Sequence, residues 1–174
     1  MKCLVKFFVV TFLLLICTYA SAEQKVAFLD MKFVLNNSKA GKGAQDFLQK
    51  TFKENQKKFL DRENALKKEE SDLLAKKTIL TKEEYQKKSD DLRKKVIDYQ
   101  SQRRASLEKI TTQRTEARQK LIEKLDPILK AYIKENDISL IIDRKNVLMG
   151  NTNLDITNAI VEKLNKEFPS LSIK

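Results

Sequence analysis

The feature that most constrains the fold is a long stretch, residues 44–126, that contains neither glycine nor proline. The whole chain of 174 residues has three glycines and two prolines, and all of them lie outside this stretch. Lys, Glu, Gln, Arg, Leu and Ala predominate inside it, and these residues lose the least free energy on entering a helix. Residues 44–126 are therefore predicted to be helical, although not necessarily as one rod.

A new helix is predicted to start near the middle of this stretch. Thr81 and Glu84 have the spacing of a capping box, in which the threonine hydroxyl accepts the amide of Glu84 and the carboxylate accepts the amide of Thr81. Leu80 and Tyr85, on either side of the cap, have the spacing of a hydrophobic staple. We therefore expect a helical hairpin whose two helices are joined by a tight turn near residues 78–81.

The apolar periodicity indicates coiled-coil packing between the two helices. The first helix has an apolar residue at every seventh position: Phe52, Phe59, Leu66, Leu73 and Leu80. Its companion seam positions are mostly polar: Leu48, Asn55, Arg62, Glu69 and Lys76. The second helix alternates steps of four and three: Tyr85, Ser89, Leu92, Val96, Tyr99, Arg103, Ser106, Ile110, Gln113 and Ala117. So thin a seam predicts an antiparallel arm of about 50–60 Å that projects into solvent. A charged coiled coil that only dimerises is the alternative.

The two ends of the chain are predicted to form one small body that carries the arm. Residues 25–30, 138–143 and 146–149 are predicted strands, and residues 31–36 are a predicted helical turn. Asp155 is the predicted cap of a last helix whose apolar face holds three residues: Ile156, Ile160 and Leu164. The fold class is therefore α+β and mostly α, with a small β-containing oligomerisation body and a long antiparallel helical-hairpin arm.

The predicted division of the chain follows from these elements. Residues 1–22 form a signal peptide, residues 23–43 and 121–174 form the body, and residues 44–120 form the arm. A body with three short strands has a marginal core and exposed sheet edges. Both problems disappear if bodies associate and their sheets join, so an oligomer is expected.

Two short motifs stand where the arm meets the body. Ala40-Gly41-Lys42-Gly43 lacks the frame of a phosphate-binding loop, so we expect it to be a flexible lead into the first arm helix. Pro127 follows Asp126 and predicts a kink, or a fresh helix start capped by Asp126.

The first 22 residues have the features of a secretory signal. Lys2 and Lys6 precede an apolar core, and Ala20-Ser21-Ala22 provides a small-x-small cleavage site. The apolar run is too short for a membrane anchor. The protein is therefore expected to be exported, with cleavage after about Ala22.

Cleavage would remove both cysteines, and the sequence contains no histidine. Neither a Ser-His nor a Cys-His nucleophile can then be assembled, nor a zinc site of the usual His/Cys kind. No catalytic residue, cofactor or metal site is predicted. An enzyme that uses carboxylates at the strand ends, Asp30 and Asp143, is a weak alternative, because both are expected to cap turns.

Positive charge is concentrated at the far end of the hairpin. The chain has a formal net charge of +11. Residues 76–95 hold four acidic residues against eight basic ones: Lys76, Lys77, Lys82, Lys87, Lys88, Arg93, Lys94 and Lys95. Such a cluster attracts an acidic partner, which here means a membrane surface, lipopolysaccharide or an acidic polypeptide. Nucleic acid is not expected, because the signal exports the protein away from it. The eight residues are the candidate site for binding clients or an anionic surface.

In the order of these segments the chain resembles the Skp/OmpH family of periplasmic chaperones. The resemblance rests on residues 25–31, on the basic hairpin, on residues 138–143 and 146–149, and on residues 155–157 with the helix that follows. It covers the whole chain after the predicted signal.

This resemblance implies a homotrimer whose sheets join in a central barrel and whose three arms enclose a cavity. It also implies an ATP-independent holdase for unfolded outer-membrane proteins. Four apolar residues outside the seam either face that cavity or pack within the hairpin: Phe47, Leu60, Leu74 and Ile97. The alternative function is that of a structural coiled-coil protein that docks on anionic lipid or lipopolysaccharide through its basic tip.

Overall fold

The computed structural model describes residues 25–173, so the predicted signal peptide lies outside the described residues. The elements in chain order are β1 (Lys25–Leu29), α1 (Met31–Asn37), α2 (Lys39–Ala75), α3 (Lys82–Glu135), β2 (Ile138–Asp143) and α4 (Thr157–Glu167). The predicted α+β class, mostly helical with a long hairpin, is confirmed. Within residues 25–173, none of the helices combines the length and the apolarity that a membrane crossing needs.

The hairpin is formed by α2, with 37 residues, and α3, with 54 residues. The predicted capping box is confirmed, because the Thr81 hydroxyl accepts the amide of Glu84 at 3.2 Å and Glu84 Oε2 accepts the amide of Thr81 at 3.0 Å. The bond from the Thr81 amide is the main reason why the pKa of the Glu84 carboxyl lies below its usual value. The turn is therefore set by local hydrogen bonds.

The body is assembled from both ends of the chain. β1 and β2 pair in parallel, with Val26 opposite Leu140 and Leu29 opposite Asp143. Parallel strands need a crossover connection, and here the crossover includes the whole hairpin. One apolar core unites the ends of the chain: Ala27, Leu29, Val34, Leu35, Ala40, Leu121, Leu125, Ile128, Ile156, Ile160 and Leu164. The arm is thus an insertion between the two halves of a single core.

The corner between α1 and α2 corrects the prediction of a flexible lead at residues 40–43. These residues lie inside α2, which is capped by Ser38, whose buried hydroxyl accepts the amide of Gly41 at 3.1 Å. A Cβ atom on Gly41 would stand 1.8 Å from the carbonyl oxygen of Leu35. Gly41 therefore allows α2 to approach the end of α1 closely. It does not make a flexible link.

The fresh helix start predicted at Asp126 is wrong, because α3 continues through Pro127 to Glu135. A proline inside a helix removes one backbone hydrogen bond. Leu125 and Ile128, on either side of it, are 1% and 3% exposed in the body core. Their packing holds the helix continuous. The carboxylate of Asp126 caps nothing and pairs with Lys130 instead, at 2.6 Å.

The third strand predicted at residues 146–149 is also wrong. Residues Arg144–Asn146 form one turn of 3₁₀ helix, in which the amide of Val147 donates to the carbonyl of Arg144 at 3.0 Å. Asp143 favours this turn because its side chain accepts the amide of Lys145 at 3.1 Å. Among residues 25–173 the sheet therefore has two strands.

The last helix is anchored much as expected. α4 begins at Thr157, and its three predicted core residues (Ile156, Ile160 and Leu164) are buried. Asp155 lies one residue before the cap position, where its carboxylate accepts the amide of Thr157 at 2.9 Å and pairs with Arg144 at 2.7 Å. The amide of Ile156 donates to the carbonyl of Phe28, which ties this segment to β1.

Candidate binding surfaces of the arm

Polar bonds hold one side of the arm seam together. The Asn55 amide donates to the Ser106 hydroxyl at 2.9 Å, Arg62 pairs with Asp98 at 2.7 Å, and Glu69 pairs with Lys95. Asn55, Arg62 and Glu69 are spaced by seven residues and are among the polar positions that made the seam look thin in the sequence. They form cross-links between the helices. The bond to Arg62 is the main cause that holds the pKa of Asp98 below its usual value.

Aromatic packing fills the middle of the seam. The rings of Phe59 and Tyr99 meet edge to face with centroids 6.0 Å apart, and the Tyr99 hydroxyl donates to Glu63 at 3.0 Å. Bonds from Lys67 and then from Tyr99 lower the pKa of Glu63. Burial, followed by the bond to Glu63, raises the pKa of the Tyr99 hydroxyl. Glu63 is therefore a charged acceptor that is already occupied.

A groove opens between α2 and α3 beside this aromatic pair. Its lining includes Glu63 and the hydrogen-bonded pair Asn55 and Ser106, but not Arg62. Its volume is about 450 Å³. Its wall includes three large apolar residues and three basic residues: Phe52, Leu60, Leu107, Lys53, Lys57 and Arg103. We call it the mid-arm groove.

The mid-arm groove exists because the two seam positions of α3 at this level carry no large apolar side chain. The seam positions of α3 at this level are Arg103 and Ser106, one charged and one small. Phe52, Leu60 and Leu107 therefore remain 42%, 55% and 48% exposed. Sequence reasoning missed the groove, although the two polar residues in succession were a visible signal of it.

The four apolar residues outside the seam are all partly exposed in the hairpin. Phe47, Leu74 and Ile97 are 44%, 57% and 60% exposed, and Leu60 stands in the wall of the mid-arm groove. These side chains thus leave apolar surface open to solvent, and their predicted role in a cavity stays a prediction.

The eight basic residues predicted as a binding site surround the turn, and all of them are exposed. Two are partly neutralised, since Lys95 pairs with Glu69 and Arg93 lies 3.8 Å from Asp90. The other six form no ion pair within residues 25–173: Lys76, Lys77, Lys82, Lys87, Lys88 and Lys94. Ile79, in the turn itself, is 77% exposed. We call this combination the tip surface.

The two carboxylates considered for catalysis both cap turns, as expected. Asp30 accepts the amide of Phe33 at 2.7 Å and starts α1. Asp143 accepts the amide of Lys145 and forms an ion pair with the same residue at 3.3 Å. Their positions are explained by local structure.

The body also carries exposed apolar side chains, and its sheet has a free edge within residues 25–173. Leu148 and Met149 are fully or almost fully exposed, and Leu140 on β2 is 53% exposed. β1 pairs with β2 on one side and contacts Asp155 on the other. The outer edge of β2 pairs with no other strand among residues 25–173.

Comparison with known proteins gives concordant results. A family described as "Outer membrane protein (OmpH-like)" matches residues 25–164. A Skp-like protein of Pseudomonas aeruginosa is 25% identical over 166 residues, which cover 95% of this chain and 99% of that protein. The crystal structure of a candidate outer membrane chaperone (OmpH-like) from Caulobacter crescentus has a TM-score of 0.82 at 20% identity, covering 90% of this chain and 93% of that one. At this identity the structural likeness shows a shared fold.

Proposed function

Because the chain belongs to the OmpH-like outer membrane protein family, we propose that it is a chaperone that holds unfolded outer-membrane proteins in the periplasm without ATP. The observation that carries the proposal is the arm, a long hairpin on which several large apolar side chains remain exposed beside a packed seam: Phe47, Phe52, Leu60, Leu74, Ile97 and Leu107. The names of the similar proteins, a Skp-like protein and a candidate outer membrane chaperone, support the same role.

The chemistry of the arm suits such a client. An unfolded β-barrel protein exposes apolar strands with unpaired edges, and these aggregate readily. Fully burying one Leu or Ile side chain stabilises a complex by about 1.5–3 kcal/mol, and a half-exposed one contributes less. Several such contacts, spread along the arm, hold many different sequences while no single contact dominates. Release then needs no nucleotide, because folding of the client removes its apolar groups from the arm.

The body is proposed to assemble the arms as a homotrimer. The open edge of β2 and the exposed side chains of Leu140, Leu148 and Met149 support this proposal, since an exposed apolar surface of this kind marks an interaction site. Three bodies joined through their sheets would bury these groups. Their arms would then enclose a cavity whose walls carry the exposed apolar residues.

Light scattering of a barrel protein diluted from urea tests the proposed function. The chain from residue 23 onwards, without nucleotide, should suppress the scattering. Changing Leu60, Leu74 and Ile97 together to Gln should weaken the suppression, because these side chains are exposed and their loss leaves the hairpin intact. A matched control changes three exposed lysines to Gln: Lys58, Lys68 and Lys109. If the unchanged protein fails to suppress scattering, the holdase proposal is wrong.

The tip surface favours a second candidate function, docking on an anionic envelope surface. Its six unpaired lysines lie around the exposed Ile79, a combination that suits anionic lipid or lipopolysaccharide. Sedimentation with anionic vesicles distinguishes the candidates. A protein that binds vesicles strongly and leaves the barrel protein to aggregate would be an envelope-docking protein and not a holdase.

A further inference from the structure

The mid-arm groove lies between two closed stretches of the seam. Toward the turn, the ion pairs of Arg62 with Asp98 and of Glu69 with Lys95 cross from helix to helix. Toward the body, Leu48 and Ala117 are buried between the helices. Between these closures, Phe52, Leu60 and Leu107 line a depression. A partner therefore meets a groove here as well as the exposed apolar side chains elsewhere on the arm.

The walls of the groove combine an apolar surface with an excess of positive charge. Lys53, Lys57 and Arg103 are exposed at its rim. Glu63 is the acidic residue among the groove-lining residues, and it already accepts hydrogen bonds from Tyr99 and Lys67. The field at the groove mouth is therefore positive, and an acidic group that arrives there meets no free carboxylate.

The size of the groove limits what it can hold. About 450 Å³ lies within the usual range of small-molecule pockets, about 300–1,000 Å³. A helix, about 10–12 Å across with its side chains, is too large to enter it. One or two side chains of an extended segment fit, and an aromatic ring gains most because the floor is formed by the rings of Phe59 and Tyr99.

We propose that the mid-arm groove selects extended client segments in which an aromatic side chain has an acidic residue next to it. The ring enters between Leu60 and Leu107, and the carboxylate lies at the rim near Lys53, Lys57 or Arg103. This inference rests on the proposed holdase function and deepens it, because it gives the chaperone a preference among unfolded segments. The positive charge at the rim is the reason why an acidic neighbour of the aromatic residue is preferred.

Synthetic extended peptides test the proposal by fluorescence anisotropy on the full chain from residue 23. One peptide has a central Phe flanked by Asp, the second has the Phe flanked by Lys, and the third has Ala between the Asp residues. The Asp-flanked Phe peptide should bind most tightly, and the other two should bind roughly tenfold more weakly, the change expected for loss of one good contact.

Two variants locate the binding. Leu60→Gln combined with Leu107→Gln should raise the Kd of the Asp-flanked Phe peptide roughly tenfold. Asn64→Gln combined with Ser101→Gln is the matched control, because both residues are exposed on the same arm and neither lines the groove. Lys53→Gln combined with Lys57→Gln should weaken the binding of the Asp-flanked Phe peptide but should not weaken the binding of the Lys-flanked Phe peptide.

The result separates the inference from the proposed function. If the wild-type chain suppresses aggregation but binds all three peptides equally, or if the groove and control variants behave alike, the groove proposal is overturned and the holdase role stands. If the chain does not suppress aggregation, the holdase role is overturned, whatever the peptides do. Circular dichroism of each variant verifies that the hairpin remains helical, as the exposure of Leu60 and Leu107 leads us to expect.

Discussion

The two glycines of the Ala40-Gly41-Lys42-Gly43 segment allow one substitution to be compared with its own control. Both lie in α2, so replacing either by Ala removes the entropic cost of a glycine inside a helix. That cost is about 0.8–1.0 kcal/mol relative to Ala. A Cβ atom on Gly43 would have no other atom within 4 Å. Gly43→Ala is therefore expected to stabilise the protein by about 0.5–1 kcal/mol.

Gly41→Ala should destabilise the protein. Its Cβ atom would stand 1.8 Å from the carbonyl oxygen of Leu35 and 3.0 Å from the Ser38 hydroxyl. The nearest atom belongs to the backbone, so no side-chain rotation relieves the clash, and α1 and α2 must move apart. Overpacking of this kind costs about 1–3 kcal/mol, which exceeds the gain in helix propensity. A net loss of stability is expected.

Urea unfolding followed by circular dichroism measures both variants at one fixed protomer concentration, because association would shift the apparent stability. The urea midpoint should fall for Gly41→Ala and rise slightly for Gly43→Ala. Amide exchange should become faster in α1 and at the start of α2 in the first variant only. If the two variants shift together, the close approach of the helices is not what Gly41 provides.

Three further predictions concern the arm. Thr81→Ala should cost about 1 kcal/mol at the turn and speed up amide exchange near residues 78–86 while the body stays protected; unchanged exchange would place the turn elsewhere. Because the folded-state pKa of Asp98 lies below its ordinary value of 3.8, its pair with Arg62 stabilises the arm above that pH and is lost as the pH falls through the lowered pKa. Asp98→Asn should therefore destabilise the arm at pH 7, and this loss of stability relative to wild type should vanish in acid. Amide exchange of the arm, measured at both pH values, tests this. The tip variant has Gln at Lys77, Lys82, Lys87 and Lys94, and stopped-flow mixing measures how fast it captures a client. Capture should be slower than in wild type at low salt. At high salt the two should differ little, because the screening length is then about 8 Å or shorter. The matched control for the tip variant has Gln at four exposed lysines outside the tip: Lys42, Lys58, Lys109 and Lys120.

The features that the sequence predicted correctly depend on neighbours along the chain. The capping box at Thr81 joins residues three apart, and the seven-residue spacing correctly places Phe59 in the seam, although Phe52 on the same spacing is 42% exposed. β1, β2 and the apolar face of α4 are likewise short local patterns. Such features need no knowledge of which elements meet, so one sequence is enough to find them.

The features that the sequence missed depend on elements meeting in space. The need for glycine at residue 41 arises from the carbonyl of Leu35 in another helix. The mid-arm groove arises from the register that sets Arg103 and Ser106 against the side of α2 that carries Phe52 and Leu60. A strand requires a paired edge as well as a suitable sequence, and residues 146–149 have no partner strand within residues 25–173. These arrangements are settled by tertiary packing.

Sedimentation velocity tests the proposed holdase role when the chain from residue 23 is mixed, without nucleotide, with a labelled barrel protein freshly diluted from urea. The label reports where the client goes, and the unlabelled chain run alone gives its own oligomeric state. We expect a trimer alone, and in the mixture a single soluble boundary in which the client sediments with that trimer. A client that pellets while the chain sediments unchanged would contradict the holdase account.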